Sequence, residues 1–523
     1  MLDVLIKNGT LVDGTGRPMF RADIGIKDGK ISQIGKLHDE KGEVEIEADG
    51  KMVCPGFIDV NNHSDTFWQI FLEPSLPSLV YQGITTIIGG NCGSSLSPLA
   101  SAKTIESIQK WVDMRKVSIN WLREKEFFKV VESKKLSVNF ATLVGHGTLR
   151  RGVLKDEARN LSPKENNFIK KLLADSLKEG ALGMSTGLIY THARLAPTEE
   201  LVDLAKVIEK FGGVYTSHIR GEREELIESI EEVIKIARIS KVKAHISHLK
   251  VMGKKNWPLM VEALRIIEHA KTQGIDITFD VYPYTNTGSV LYTLLPSWVA
   301  EGGKHAMIHR LRDAVIRKKV IREMKKTGVD FGRVEIAISP LNKTLARRKI
   351  SEIAISQEKT PAEAIIDILI ASEGRVITSM EVLSEDNVRL AIAHPLSIIS
   401  TNGSGYSEKH KESGEVVHPR CFGTFIKVLS QYVQKERIIS WEEAIKKMTS
   451  MPAEKFNISR RGKLQKGYFA DILVIDPDKL ESPANKENPY RYSKGIDFMF
   501  INGKLSIENG QYNDGRFGQI IGK

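Results

Sequence analysis

Cysteine is scarce in this sequence: Cys54, Cys92 and Cys421 are the only three among 523 residues, and no two of them form a C-x-x-C pair. So few thiols, in odd number and widely spaced, exclude a disulfide framework. Long apolar runs are missing as well. No stretch approaches the roughly 18 uninterrupted residues of a membrane span, and Met1-Leu2-Asp3-Val4-Leu5-Ile6-Lys7 lacks the basic-then-apolar order of an export signal. The sequence therefore reads as a cytoplasmic protein with no membrane partner. Charge is not concentrated either. The net charge is +11, yet the densest basic run, Arg317 to Lys326, interleaves Val320, Ile321 and Met324 at helical spacing. That is the pattern of a solvated amphipathic helix, and no aromatic-rich recognition motif accompanies it, so no nucleic-acid partner is expected. What is present, 41% hydrophobic and 27% charged residues, is the composition of a globular chain and excludes disorder and collagen-like repeats.

The first fifty residues alternate short β-rich runs with turn residues: Asp3 to Ile6, Asn8-Gly9, Thr10 to Val12, Asp23 to Ile26, Asp28-Gly29 and Ile31 to Ile34. Asn-Gly and Asp-Gly between such runs signal hairpins. The same style returns in Ala470 to Ile475 and Phe498 to Leu505. Either set alone is too small for a sheet core, so the two are expected to build one composite β-sandwich, residues 1–54 with 458–523. Between them, residues 55–457 show a strand-then-helix rhythm. Eight strand candidates can be counted: Val53 to Val60, Thr85 to Gly90, Val138 to His146, Ala181 to Leu188, Val214 to Ile219, Lys243 to Lys250, Asp276 to Tyr284 and Leu396 to Gly403. Near-continuous apolar strands alternating with amphipathic helices, such as the one bearing Leu226, Ile230, Val233 and Ala237, predict a TIM-like (β/α)8 barrel with an insertion at about 290–390.

His63, Cys92, His218 and His248 fall at or just beyond the ends of the first, second, fifth and sixth of these strands. In a barrel those ends share one face, where sites are built from strand ends and loops. Imidazole and thiolate at roughly 2.0–2.3 Å are the donors zinc prefers, and an incomplete ligand shell leaves room for water or a substrate carbonyl. Singly, each residue has a plainer reading: Cys92 as a buried thiol, either imidazole as a core histidine. Joint placement on strand ends is what points to a metal.

Several segments, in order, carry a resemblance. Pro55 to Val60, Gly89-Gly90-Asn91-Cys92-Gly93, Ser217-His218-Ile219-Arg220, Ser247-His248-Leu249-Lys250, Asp280 to Tyr284, His418-Pro419-Arg420 and Gly423-Thr424-Phe425 resemble the D-aminoacylases, the N-acyl-D-amino-acid deacylases of the amidohydrolase superfamily. The likeness runs nearly end to end, through Arg461-Gly462 and Ala470-Asp471. The resemblance implies that Cys92, His218 and His248 hold one tightly bound Zn2+, with His63 belonging to a weaker second position that shares Cys92. It implies that Arg420, Lys250, Tyr190 and Tyr282 contact the substrate, an N-acylated amino acid with a free carboxylate. A planar guanidinium suits bidentate carboxylate capture.

Two departures stand out. Where the family has His-x-His after the first strand, this chain reads Asn61-Asn62-His63, and where the family has Ser-Asp-Gly after the eighth, it reads Thr401-Asn402-Gly403. An amide neither takes nor gives a proton at neutral pH, so Asn402 cannot act as the family's general acid/base. Both losses fall on the weak position, which predicts a mononuclear site with Asn61 and Asn402 beside it as neutral hydrogen-bonding groups. Asp65 is the nearest carboxylate to replace the lost aspartate as catalytic group, its plainer reading being a structural hydrogen-bonding partner. A smaller departure at Tyr190-Thr191-His192-Ala193-Arg194 leaves open whether His192 and Arg194 line an acyl pocket or face solvent. The leading expectation is hydrolysis of N-acyl-D-amino acids, slow or altered. The alternatives are a metal-binding homologue without catalysis and a cyclic-amide hydrolase, although the modified lysine that usually bridges two metals in cyclic-amide hydrolases has no matching position.

Overall fold

The computed structural model describes residues 1–105, 118–155, 157, 159–326, 329–341 and 345–522. Strands from both ends of the sequence share one nine-stranded sheet, with Met52–Pro55 as the joint: it runs parallel to Leu2–Leu11 on one side and antiparallel to Ile472–Ile475 on the other. Val4, Ile6, Ile24, Val53, Ile472 and Phe500 fill its core. Asp28-Gly29 forms the expected two-residue hairpin turn between Phe20–Lys27 and Lys30–Gly35, both residues having positive φ (50° and 72°) as that turn requires. Asn8-Gly9 does not form a turn. Leu2–Leu11 is a single strand whose register shifts between Ile6 and Gly9, with Asn8 at φ 60°, so the pair is a bulge that the flanking apolar residues carry the strand straight through.

The barrel strands follow the expected order. Phe57–Asp59, Ile84–Gly89 and Asn139–Thr142 pair in parallel, and Val144–Gly145, Gly183–Gly187, Val214–His218, Lys243–Ile246, Ile277–Val281 and Ser397–Ile399 form a second parallel run. Leu143 alone separates the two pieces of the third strand, and its N–H donates to Gly89 O at 3.1 Å. The other seam, between strands eight and one, is spanned by the Asn62–Gly403 bridge, by His63 N to Gly403 O at 2.7 Å, and by Asp59, which accepts from Thr401 N at 2.9 Å and from Thr401 Oγ1 at 2.5 Å. The predicted run Val53 to Val60 divides between the two sheets, its first half pairing in the terminal sheet. Near-continuous burial in both halves makes the division invisible to periodicity.

The insertion carries its own three-stranded antiparallel sheet, Asn286–Val290, Ile377–Glu381 and Val334–Ile338 in that spatial order, over a separate apolar core that includes Leu291, Leu311, Ile336, Ile365 and Leu369. The basic run forms the helix Ala314–Met324, which buries Val320 and Met324. No helix among the described residues is long and apolar enough to cross a membrane.

Candidate active site

The expected site residues follow the C-terminal ends of the barrel strands, where a parallel barrel gathers loops from distant parts of the sequence. Cys92, His218 and His248 are buried, and their donor atoms lie within 4.8 Å of one another. Cys92 Sγ stands 3.4 Å from His248 Nε2, which is 3.1 Å from His218 Nδ1. Two nitrogens held tetrahedrally at about 2.0 Å from one ion lie about 3.3 Å apart, with a thiolate slightly farther out. Spacing and donor chemistry therefore fit a zinc-type cation. Cys92, His248 and Asn402 all have left-handed backbone, with φ of 51°, 39° and 44°. Such conformations cost roughly 1–3 kcal/mol each and persist where the surroundings impose them, often at functional sites.

His63 takes a different position. Its Nε2 is 3.9 Å from Cys92 Sγ but 2.9 Å from Asn402 Oδ1. The nearer partner of this imidazole is therefore the Asn402 amide rather than the Cys92 thiol. Asn61, expected beside the donors, does not line their cavity. Its Nδ2 turns to Asp280 Oδ1 at 3.3 Å, in a buried group where Asp280 also holds Ser400 and His245 Nε2, the latter at 2.9 Å. Asp65 departs from expectation too. Its Oδ2 accepts from Gly90 N at 2.6 Å and its Oδ1 from Thr66 N at 2.7 Å, anchoring the turn that carries Cys92, while burial pushes its carboxyl up to about 6. It does not line the cavity, so its carboxylate is a loop anchor and the proposed proton carrier is not found there.

Sequence reasoning missed Glu222. Its Oε1 lies 3.4 Å from His218 Nε2 and 3.4 Å from His248 Nδ1, the distal nitrogens of both imidazoles, and 2.5 Å from Lys250 Nζ. Carboxylates in that place orient metal-binding histidines. The available signal was its position four residues beyond His218, one turn on had the segment been helical. Lys250 Nζ also meets His248 Nδ1 at 2.8 Å, so this lysine is engaged inside the donor cluster. Burial, reinforced by the Lys250 charge, holds the His248 imidazole well below its ordinary pKa; it stays neutral, as a ligand must.

Arg420, which lines the same cavity as these donors, opens the helix Arg420–Lys427. Its guanidinium carbon lies 4.9 Å from the Tyr282 ring centroid, while its Nε and Nη1 and the Tyr282 hydroxyl are buried without hydrogen-bond partners among the described residues. Buried guanidinium donors left unpaired are costly unless a ligand meets them. Tyr190 is buried with its ring centroid 5.2 Å from that of His218 in an edge-on arrangement, and burial raises its hydroxyl pKa well above the ordinary value. Cys92, His63, His218, His248, Lys250, Tyr190, Asn402 and Arg420 line one cavity of about 400 Å³ that the insertion roofs with Thr287, Gly288, Leu294 and Ile377. Tyr282 does not line it and meets it through Arg420. Arg194 lines the cavity; the His192 side chain lies outside the described residues.

Comparison with known proteins gives three results of one kind. The chain matches the amidohydrolase family over residues 44–496. It is 30% identical over 521 residues to a D-aminoacylase of Alcaligenes xylosoxydans xylosoxydans, covering 100% of this chain and 98% of that protein. Among solved structures it resembles the N-acyl-D-glutamate deacylase of Bordetella bronchiseptica, complexed with zinc and a phosphonate that mimics the tetrahedral intermediate (29% identity, TM-score 0.84, all of both chains covered). It also resembles a D-aminoacylase whose binuclear centre is described as one-metal activation and second-metal attenuation (29% identity, TM-score 0.85, all of both chains covered).

Proposed function

We propose, because this chain belongs to the amidohydrolase family, that it is a metal-dependent hydrolase cleaving the amide bond of N-acyl-D-amino acids. The observation that carries the reading is a pairing in one cavity: a Cys-His-His donor trio and a guanidinium whose buried Nε and Nη1 have no hydrogen-bond partner among the described residues. That is what a small molecule with an amide at one end and a carboxylate at the other requires. Cys92, His218 and His248 would hold one divalent cation, zinc by its donor set, which supplies Lewis-acid polarisation of the amide carbonyl and a more acidic water. Arg420 binds the carboxylate through paired N–H donors, steadied by the Tyr282 ring. Glu222 sets its carboxylate 3.4 Å from a nitrogen of each imidazole, and Lys250 neutralises it. Tyr190 closes the wall beside His218 and keeps water out. His63 is held by Asn402, which leaves a single cation position.

The relatives named above act on N-acyl-D-amino acids, and two of the three are D-aminoacylases. A second reading, a binding protein without hydrolysis, draws on Asn402, whose amide gives no proton to a leaving amine. Free-amine release from N-acetyl-D-leucine, -methionine, -glutamate and -aspartate, with metal content measured alongside, separates the two. Wild-type turnover that disappears on chelation is the expected result. Turnover only in Asn402→Asp, by a gain of roughly 10²–10⁴ from a restored proton carrier, would favour the second reading.

A further inference from the structure

Gly288 stands in the middle of the strand Asn286–Val290, where glycine weakens pairing and leaves nothing to pack. Two ordinary reasons for it fail. Its φ lies outside the left-handed range, so any residue can adopt the backbone, and the register from Asn286–Glu381 to Val290–Ile377 is unbroken, so there is no bulge. A third reason is close packing against another chain segment, and that fails too: a Cβ built there would meet only Thr378 O at 3.5 Å and Arg420 Nη2 at 4.0 Å. The space it would fill is the space in front of the guanidinium.

The strand's placement explains why that space matters. Asn286–Val290 is the edge of the three-stranded sheet, paired to Ile377–Glu381 on one side only. Leu291 N donates to Val376 O at 2.9 Å, in register with the ladder. Alternation of an antiparallel ladder therefore turns the main-chain groups of Val290, Gly288 and Asn286 away from the partner strand. The contact of His418 Nε2 with Asn286 O at 3.0 Å agrees. The side-chain positions of Asn286, Gly288 and Val290 share one face of the sheet, on which Val290 packs with Cys92 and Tyr190. Two residues along a strand is about 6.7 Å, so Gly288 is the gap between the residue over the metal-donor cysteine and the residue beside His418.

We infer that Gly288 is a specificity-determining residue: its missing side chain is the room in which the substrate carboxylate reaches Arg420. The inference rests on the amide-hydrolase reading above for the identity of the ligand, but not for the steric claim. A methyl group at 288 occupies part of the carboxylate position, and a branched side chain closes it.

The test is Gly288→Ala and Gly288→Val in the metal-loaded protein, with Tm, metal content, kcat and KM for the N-acetyl-D-amino acid that wild type turns over best, and calorimetric binding of the free D-amino acid. Alanine should raise KM about tenfold with kcat changed less than twofold, valine should abolish carboxylate binding, and both should keep full metal content. Tm should rise, because glycine is being replaced where the backbone permits it. A glycine needed only for the fold gives the opposite, a lower Tm with unchanged KM, and overturns the inference. Should wild type hydrolyse none of the panel, the functional reading fails, and binding of N-acetylglycine decides the steric claim by itself. Retention in wild type with loss in Gly288→Val upholds it; equal binding, or none in wild type, overturns it.

Discussion

The two halves of the donor pocket have fared differently. On one side Cys92, His218 and His248 are all in place, with Glu222 set behind both imidazoles. On the other, His63 is bonded to an amide, and Asn61 has swung to the buried Asp280. The contrast is between three donor atoms that converge on one another and two side chains that turn to other partners. Asn402 gives His63 a hydrogen-bonding partner away from the trio.

The strongest way to break this comparison is to strike each half in turn. Cys92→Ala should release the metal and abolish hydrolysis, a loss beyond the 10–100-fold typical of outer-shell changes, while His63→Ala should keep about one equivalent of metal by mass spectrometry. Equal metal loss in both would erase the distinction. Glu222→Gln should act at the intermediate level, weakening metal affinity about 10–100-fold as read by competition with a chelator, because a carboxamide orients two imidazoles less well.

The smallest effect concerns the seam that holds Asn402. Burial pushes the Asp59 carboxyl up to about 6 although it accepts from Asn62 and Thr401. An acid whose pKa is raised on folding binds its proton more tightly in the native state. Its stabilising contribution is full below about 4, its unfolded value, and is lost as pH rises through about 6. In Asp59→Asn that part of the slope should vanish, so the difference in Tm between variant and wild type should shift by roughly a few degrees between pH 4 and 7, followed by thermal melts.

Much of this architecture was legible beforehand. The eight barrel strands are apolar runs at a steady rhythm, and donors at their ends are legible because parallel strands put all C-terminal ends on one face. Less visible was what depends on contacts across the sequence. Glu222 lies in a loop with no periodicity, and only the meeting of strands five and six sets it behind both histidines. Asp65 looked like a replacement acid because it lies near His63, yet the Gly90 and Thr66 amides had claimed it. Asn8-Gly9 has the composition of a turn, but the strand pairing around it prevails.

Met52–Pro55 pairs with Leu2–Leu11 at once but with Ile472–Ile475 only after roughly four hundred further residues have been made. During synthesis the early strands must therefore wait with an open edge, exposed to any other chain in the same condition. Yield in a host cell should accordingly depend on how fast the barrel forms, because the barrel's folding is what carries the late strands back to that edge.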